Sequence, residues 1–252
     1  MSKKTQRHDQ ILSILEVNPS IRVAEMAEEL SVSSETVRRD LSELDETGRI
    51  KRTYGGAVRT KAFEPALAER LQLHIKAREQ IAQRALERIG DAGSLFISGG
   101  ATTLHFARLL RAIDRPLTVL TPAFSIATEL SVNPLIQVMS LPGIVEPREG
   151  LVYGSETIKC IKQFRTPIAI TGASGVDEEG MSEALLHAGQ VYSAMIEAAD
   201  EALILADASK FGFRSLQRII DWKPNLTLIT DERPPPPLWD AIRQSQANII
   251  AG

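Results

Sequence analysis

A chain of 252 residues, 43% apolar and 24% charged, is long enough for one or two domains with sizeable cores, and its formal charge of −3 excludes a global basic excess. Any nucleic-acid binding must therefore come from local clustering of charge. The single cysteine, Cys160, rules out an internal disulfide, and no apolar run approaches the roughly 20 residues of a membrane helix, so a cytoplasmic protein without a membrane partner is expected.

In residues 6–16, Ile11, Leu12 and Leu15 stand at helical spacing, and after the break "NPS" a second short helix is predicted from Val23 to Leu30. The stretch "SVSSETVRRDLSELDETG" then places a polar turn at Ser31 to Ser33, a capping hydroxyl on Ser33 and a helix stop at Gly48. Val37, Leu41 and Leu44 recur at i, i+4, i+7 and turn inward; Ser34, Glu35, Thr36, Arg38, Arg39 and Ser42 are left outward. Two short helices joined by a tight turn form the layout of a helix-turn-helix, whose second helix enters the major groove. There arginine reaches guanine edges or phosphates, and serine or threonine bonds either. An ordinary amphipathic hairpin with a solvated polar face has the same local pattern.

The following "GRIKRTYGGAVRT" reads as a β-hairpin around Gly55-Gly56 with Arg49, Lys51, Arg52 and Arg59 about it, a basic wing. Residues 1–60 hold ten Lys plus Arg and ten Asp plus Glu, yet the bases gather at the third helix and the wing, so a neutral segment can present one basic face. The candidate contacts to double-stranded DNA are Ser33, Ser34, Thr36, Arg38, Arg39 and Ser42 on the helix, with Lys51, Arg52, Tyr54, Gly55 and Gly56 in the wing.

A charged connector over residues 59–74 leads to a different texture. Short apolar runs ("SLFIS", "LTVLT", "LIQVMSL", "PIAIT", "EALILAD", "LTLIT", "ANIIA") alternate with helical stretches, the pattern of a parallel sheet covered on both faces. Helices are predicted over 75–89, with Ile75, Ile81, Ala82, Ala85, Leu86 and Ile89 on one side, and over 102–112, 123–131 and 188–199. Pro234 to Pro237 read as a stiff surface connector. Ligands of such sheets sit beyond the carboxyl ends of the strands.

After the first strand comes "ISGGATTLH": Gly99 and Gly100 let amides approach an anion, Thr102 and Thr103 add hydroxyls, and the helix contributes its positive end. After another strand, "ADASKFG" offers Lys210 with Asp207 and Ser209 beside it, and "TGASGVDEEG" offers Ser174, Gly175 and Asp177 for sugar hydroxyls. His8, His74, His105 and His187 lack metal-ligand spacing, and neither a Walker loop nor a G-x-S-x-G elbow occurs, so no metal or cofactor is expected. His105, one turn into the helix after the glycines, either touches ligand or packs.

The segment "RHDQILSILEVNPSIRVAEMAEELSVSSETVRRDLSELDETGRIKRTYGGAV", with its "TVRRDL" helix and "GGA" wing, resembles the winged helix-turn-helix of the DeoR family of bacterial transcriptional regulators. The resemblance continues through "LFISGGATTLHFARLL", "ITGASGVDEEG" and "ADEALILADASKFG". It implies an α/β architecture: a winged helix-turn-helix domain over 3–58 (helix-turn-helix about 20–39), a linker over 59–74, and an effector-sensing, oligomerising α/β domain over 75–252. The second domain is similar in fold to ribose-5-phosphate isomerases. It also implies a dimer or tetramer on operator DNA and a small anionic sugar effector held by Ser98, Gly99, Gly100, Ala101, Thr102, Thr103, Ser174, Gly175, Asp177, Asp207 and Lys210. The family typically carries an aspartate at the Ser98 position, threonine at Ala101, asparagine at Pro122 and glycine at Pro142. These departures point to an effector other than an ordinary aldose or ketose phosphate, such as a polyol phosphate or a sulfonated sugar. The expected function is a repressor of a carbohydrate or polyol catabolism operon. Two rivals are an isomerase-like enzyme with an accessory DNA-binding domain, which the missing proton-moving acid disfavours, and a DNA-binding protein whose second domain only oligomerises.

Overall fold

Helices α1 (Lys3–Val17), α2 (Val23–Glu29) and α3 (Ser34–Glu46) are followed by the antiparallel strands β1 (Ile50–Thr53) and β2 (Gly56–Arg59). The computed structural model describes residues 3–17, 21–46, 50–53, 56–59 and 65–252, and the chain divides into two compact units, Met1–Pro65 and Ala66–Gly252. In the first unit Ile11, Leu12 and Leu15 of α1 pack with Met26 and Ala27 of α2, with Val37, Leu41 and Leu44 of α3, and with Ile50 of β1. The helical spacing read from the sequence is thus the spacing of the core.

The turn between α2 and α3 is made by Ser31, whose φ of 54° is the left-handed conformation usually left to glycine. Its amide and that of Val32 reach back to the carbonyls of Glu28 and Ala27 at 3.1 and 3.0 Å. Ser33 Oγ accepts the Thr36 amide at 3.1 Å and starts α3.

One side chain breaks the polar-out pattern of α3. Asp40 is 2% exposed and accepts hydrogen bonds from Arg7 Nε and Nη2 of α1 at 2.5 and 3.0 Å, with His8 Nε2 at 3.1 Å. Burial alone would push this carboxyl up, but the hydrogen bonds and charges of Arg7 and His8 outweigh it and hold Asp40 below the usual carboxylate range. Lys4 pairs with Glu43 one turn further along at 2.6 Å. His8, Asp40 and Glu43 bring donor atoms within 4.8 Å of one another, but Arg7 and Lys4 already supply the positive charge that a bound cation would.

The second unit opens with a short helix, α4 (Leu67–Arg70), followed by α5 (Ile75–Arg88), β3 (Ser94–Ile97), α6 (Ala101–Leu110), β4 (Leu117–Thr121), α7 (Phe124–Leu130) and β5 (Ile136–Ser140). Then come a hairpin of β6 (Ile144–Glu146) and β7 (Leu151–Tyr153), α8 (Ser155–Ile161), β8 (Thr166–Gly172), β9 (Gly175–Asp177), β10 (Gly180–Glu183), α9 (Leu186–Glu197) and β11 (Ala199–Leu205). β12 (Gln217–Asp221), β13 (Leu226–Ile229), α10 (Pro236–Gln244) and β14 (Asn248–Ile250) complete it.

Seven strands form one parallel sheet in the order β14-β13-β11-β8-β3-β4-β5, and β12, β10 and β9 make a small antiparallel sheet. The central strands are buried where their apolar runs lie, over Leu95–Ile97, Ile168–Thr171 and Ala202–Leu205. The chain moves outward from β3 through β4 to β5, then returns to the other side of β3 with β8, so the order reverses between β3 and β8. A crevice at that reversal is the usual ligand position of an open sheet.

Three local expectations are corrected. Residues 66–74 are not linker: they fall in the second unit, where Leu67 is buried, Leu71 packs on the core, and Arg78 donates to the carbonyls of Arg70 and Leu73. Ile75, expected on the apolar side of α5, is 41% exposed, and the buried place one turn on is taken by Arg78. The four prolines are not all connector, because α10 begins at Pro236, where a missing amide costs nothing.

Candidate functional site

On the first unit, α3 turns Arg38 and Arg39 outward, and Arg38 meets only Glu35 of its own helix at 3.8 Å among the described residues. Arg39 sits on the face opposite Val37, Leu41 and Leu44, and Arg38 flanks it, both exposed. The hydroxyls are more committed than the sequence suggests: Ser33 and Thr36 bond each other at 2.9 Å while capping α3, and Ser42 donates to the Arg38 carbonyl at 3.0 Å. Ser34 is half-buried. Lys51 and Arg52 lie on β1 and Gly56 on β2, in a register that sets Arg52 opposite Ala57 and Thr53 opposite Gly56. Tyr54 and Gly55 lie outside the described residues.

On the second unit, the register brings the proposed anion-binding loops together. Ile97 pairs with Ile170 and Leu205 with Gly172, so the carboxyl ends of β3, β8 and β11 are neighbours and the loops 98–103, 173–174 and 206–210 open side by side. Gly100 has a φ of 132°, which disfavours any other residue, and it caps α6, whose first-turn amides have no acceptor within the helix. Those amides and the positive end of the helix suit an anion. Tyr192 donates its hydroxyl to the Gly99 carbonyl at 3.2 Å and so holds the loop from α9. Ala101 is buried and Thr102 half-buried at the start of α6.

Several expected ligand groups are spent on the protein itself. Ser98 is fully buried; its hydroxyl donates to the Gly99 carbonyl at 2.9 Å and accepts the Gly172 amide at 3.2 Å, tying β3 to β8 beneath the crevice. Thr103 is equally buried and donates to the Gly100 carbonyl. Gly175 pairs with Ser182 across the β9–β10 hairpin, where a Cβ would stand 2.1 Å from the Phe213 carbonyl oxygen. Asp177 accepts the Glu179 and Gly180 amides at 2.8 and 3.2 Å and pairs with Arg214, which closes the β9–β10 turn. Ser174 lies at the crevice but donates to Glu183 at 2.9 Å.

Two buried charges escaped the sequence reading. Glu183 accepts from Ser174 and from the Ala184 and Leu185 amides at the start of α9, and nothing in "GMSEALL" marks it as buried. Arg78 had a signal: it falls in the apolar stripe of α5 with Ile81, Ala82 and Ala85. Its guanidinium stands 3.9 Å from Asp207 Oδ2. Asp207 is 1% exposed; its Oδ1 accepts from the Ser209 amide and hydroxyl, while Oδ2 has no hydrogen-bond partner among the described residues. Lys210 closes the same 3-10 turn, its amide on the Asp207 carbonyl at 2.9 Å.

His105 packs beside them, 8% exposed, with Nε2 unpartnered among the described residues. Burial pushes its imidazole below the usual range, and the charges of Arg108 and Arg78 push the same way. No helix among the described residues is long and apolar enough to cross a membrane.

A helix-turn-helix unit followed by a parallel α/β sheet whose order reverses between β3 and β8 is the architecture of a two-domain regulator. The DeoR-like helix-turn-helix domain matches residues 7–63, and the DeoR C-terminal sensor domain matches residues 73–232. The chain is 30% identical to the glycerol-3-phosphate regulon repressor of Escherichia coli K12 over 92% of its own length and 93% of the relative's. It is 29% identical to the repressor CsqR of the same organism, over 97% and 94%, and 28% identical to the repressor GlcR of Bacillus subtilis, over 95% and 93%.

Among solved structures, ribose 5-phosphate isomerase A of Neisseria gonorrhoeae aligns over 53% of this chain and 52% of its own, at 18% identity and a TM-score of 0.40. The chain belongs to the DeoR family and is a transcriptional repressor rather than an enzyme.

Proposed function

We propose that this protein represses a carbohydrate or polyol catabolism operon in the cytoplasm, and that a phosphorylated sugar or similar anionic sugar releases it from its operator. The observation that supports the effector half is the register of β3, β8 and β11, which brings the loop opening α6 and the loop that carries Lys210 to the same end of the sheet. The relatives' names are consistent with it, since one is a glycerol-3-phosphate regulon repressor. Exposed Arg38 and Arg39 on α3 support the DNA half, through phosphate and guanine-edge contacts. The protein acts as a dimer or tetramer, as paired half-sites require.

Ser98 shapes the expected effector indirectly. Where the family resemblance implies a carboxylate, this chain has a neutral hydroxyl bonded to backbone, so the crevice floor offers no acceptor to a sugar hydroxyl at that point. A polyol phosphate or sulfonated sugar suits such a floor better than an ordinary hexose phosphate.

The test is a gel shift with the upstream DNA of the chain's own operon, with and without a panel of sugar phosphates, polyol phosphates and sulfonated sugars. Retention that one anionic sugar abolishes is expected. Retention insensitive to every member would leave the second unit a mere oligomerisation domain, and calorimetry ranking a common hexose phosphate tightest would overturn the effector class.

A further inference from the structure

The parallel sheet has two open edges, and they are built differently. β14, at one edge, is three residues long, which leaves little backbone for another strand to pair with. β5, at the other, runs for five residues and pairs only with β4 among the described residues. The Leu135 carbonyl accepts the Leu117 amide at 3.0 Å and the Leu141 amide donates to the Thr121 carbonyl at 2.9 Å, so the odd positions turn their backbone toward β4. By alternation, the backbone N–H and C=O groups of Val138 and Ser140 point away from the sheet. Such an edge is ordinarily guarded by charge, yet the sixteen residues from Leu130 to Val145 contain none, in a chain that is 24% charged. Large apolar side chains stand in solvent before and after the strand: Val132 is 66% exposed and Ile144 63%, with Leu135 and Val145 exposed as well. Pro134 and Pro142, which have no amide to offer, mark the limits of pairing.

We propose that β5 is the seam of self-association: it pairs antiparallel with β5 of a second copy about a two-fold axis and joins the two sheets edge to edge. The proposal rests on the dimer or tetramer proposed above and names its surface. A second copy is the occupant because a patch that meets itself across a two-fold axis sets each charge near its like, and this stretch carries none to repel. Centred on Val138, the pairing sets Ile136 opposite Ser140 and Gln137 opposite Met139, all uncharged. Val138 then exchanges two backbone hydrogen bonds with its own counterpart, which satisfies the outward groups at the middle of the strand. Each sheet has one such edge, so the pairing closes at two copies and does not propagate. A tetramer would need a second surface.

Sedimentation velocity and hydrogen exchange on the full chain, with no ligand added, test this together. The wild-type chain should dimerise, and dilution to monomer should raise exchange at the Val138 and Ser140 amides while the Leu141 amide, bonded to β4, stays protected. Gln137→Lys combined with Ser140→Lys, at two exposed positions, lines the seam with cations and should raise the dissociation constant on the order of tenfold. Asn248→Lys, at the exposed start of β14, should leave it unchanged. Thermal melting checks that each variant keeps its fold, and the dilution experiment decides the point without a variant should the lysines disturb it. A dimer that the double variant leaves alone, that Asn248→Lys weakens equally, or whose exchange at Val138 and Ser140 ignores dilution overturns the seam and leaves self-association standing on another surface. Protection of Val138 that depends on a different bound protein overturns the second copy as occupant. A wild-type chain that stays monomeric overturns self-association and the seam with it.

Discussion

The two units each bury an aspartate, and they treat it in opposite ways. Asp40, in the DNA-reading unit, is held by both nitrogens of an Arg7 fork and by His8, so its charge is matched on every side. Asp207, in the sensor unit, has one oxygen bonded to Ser209 and the other left 3.9 Å from a guanidinium. A saturated buried carboxylate fixes one arrangement of the helices that hold it. A half-satisfied one is expensive at rest and has something to gain by moving. The contrast fits the function proposed above, in which one unit holds DNA and the other responds to an effector.

The largest expected effect comes from breaking the saturated site. Asp40→Ala should destabilise the first unit by about 3 kcal/mol, at the low end for a broken buried ion pair because Arg7 remains partly exposed. Thermal unfolding of the full chain should show this as an early transition that leaves the sensor unit's own melting in place.

Next in size is the outward face of the same helix. Arg39→Ala should weaken operator binding by about 1–3 kcal/mol if it reads a base, or lower the salt slope by about one if it meets a phosphate. Titrations at several salt concentrations separate the two, and an unchanged affinity would remove α3 from the interface.

Acid separates the units further. Asp40 is held below its usual range, so its contribution is complete above about pH 3.9 and is lost as pH falls through the folded-state value. His105 is lowered by burial, so the folded sensor unit favours its neutral form and loses stability as pH falls below about 6.5, toward the depressed folded value. Melting curves between pH 7 and 5 should therefore show the sensor unit weakening first, with His105→Phe flattening that slope.

The smallest effect is expected at the turn. Ser31→Gly should stabilise the first unit by about 1 kcal/mol, since glycine adopts the observed φ of 54° without strain. Urea midpoints of the two variants are the measurement.

Much of this was legible in the sequence because it is local. Val37, Leu41 and Leu44 announce the buried face of α3 by spacing alone, Ser33 announces its cap, and the apolar runs announce a parallel sheet. The missed groups are those whose meaning depends on a distant partner. Asp40 looks like any polar residue on a charged helix until Arg7, 33 residues earlier, is seen beside it. The bonding of Ser98 could not be read either, because its hydroxyl accepts from the Gly172 amide, 74 residues later. Arg78 was the exception, since a cation within an apolar stripe is visible in sequence; the helix reading placed Ile75 on that face and passed over it.

The reversal of strand order between β3 and β8 also has a consequence for synthesis. The crevice floor cannot close until Gly172 meets Ser98, and at ordinary elongation rates those residues are made about 4–15 s apart. The helix-turn-helix unit, whose buried core runs from Ile11 to Ile50, is synthesised long before that. A nascent chain thus completes its DNA-binding unit before the loops proposed to hold its effector, and a chain truncated ahead of β8 is expected to show no phosphate protection at residues 98–103.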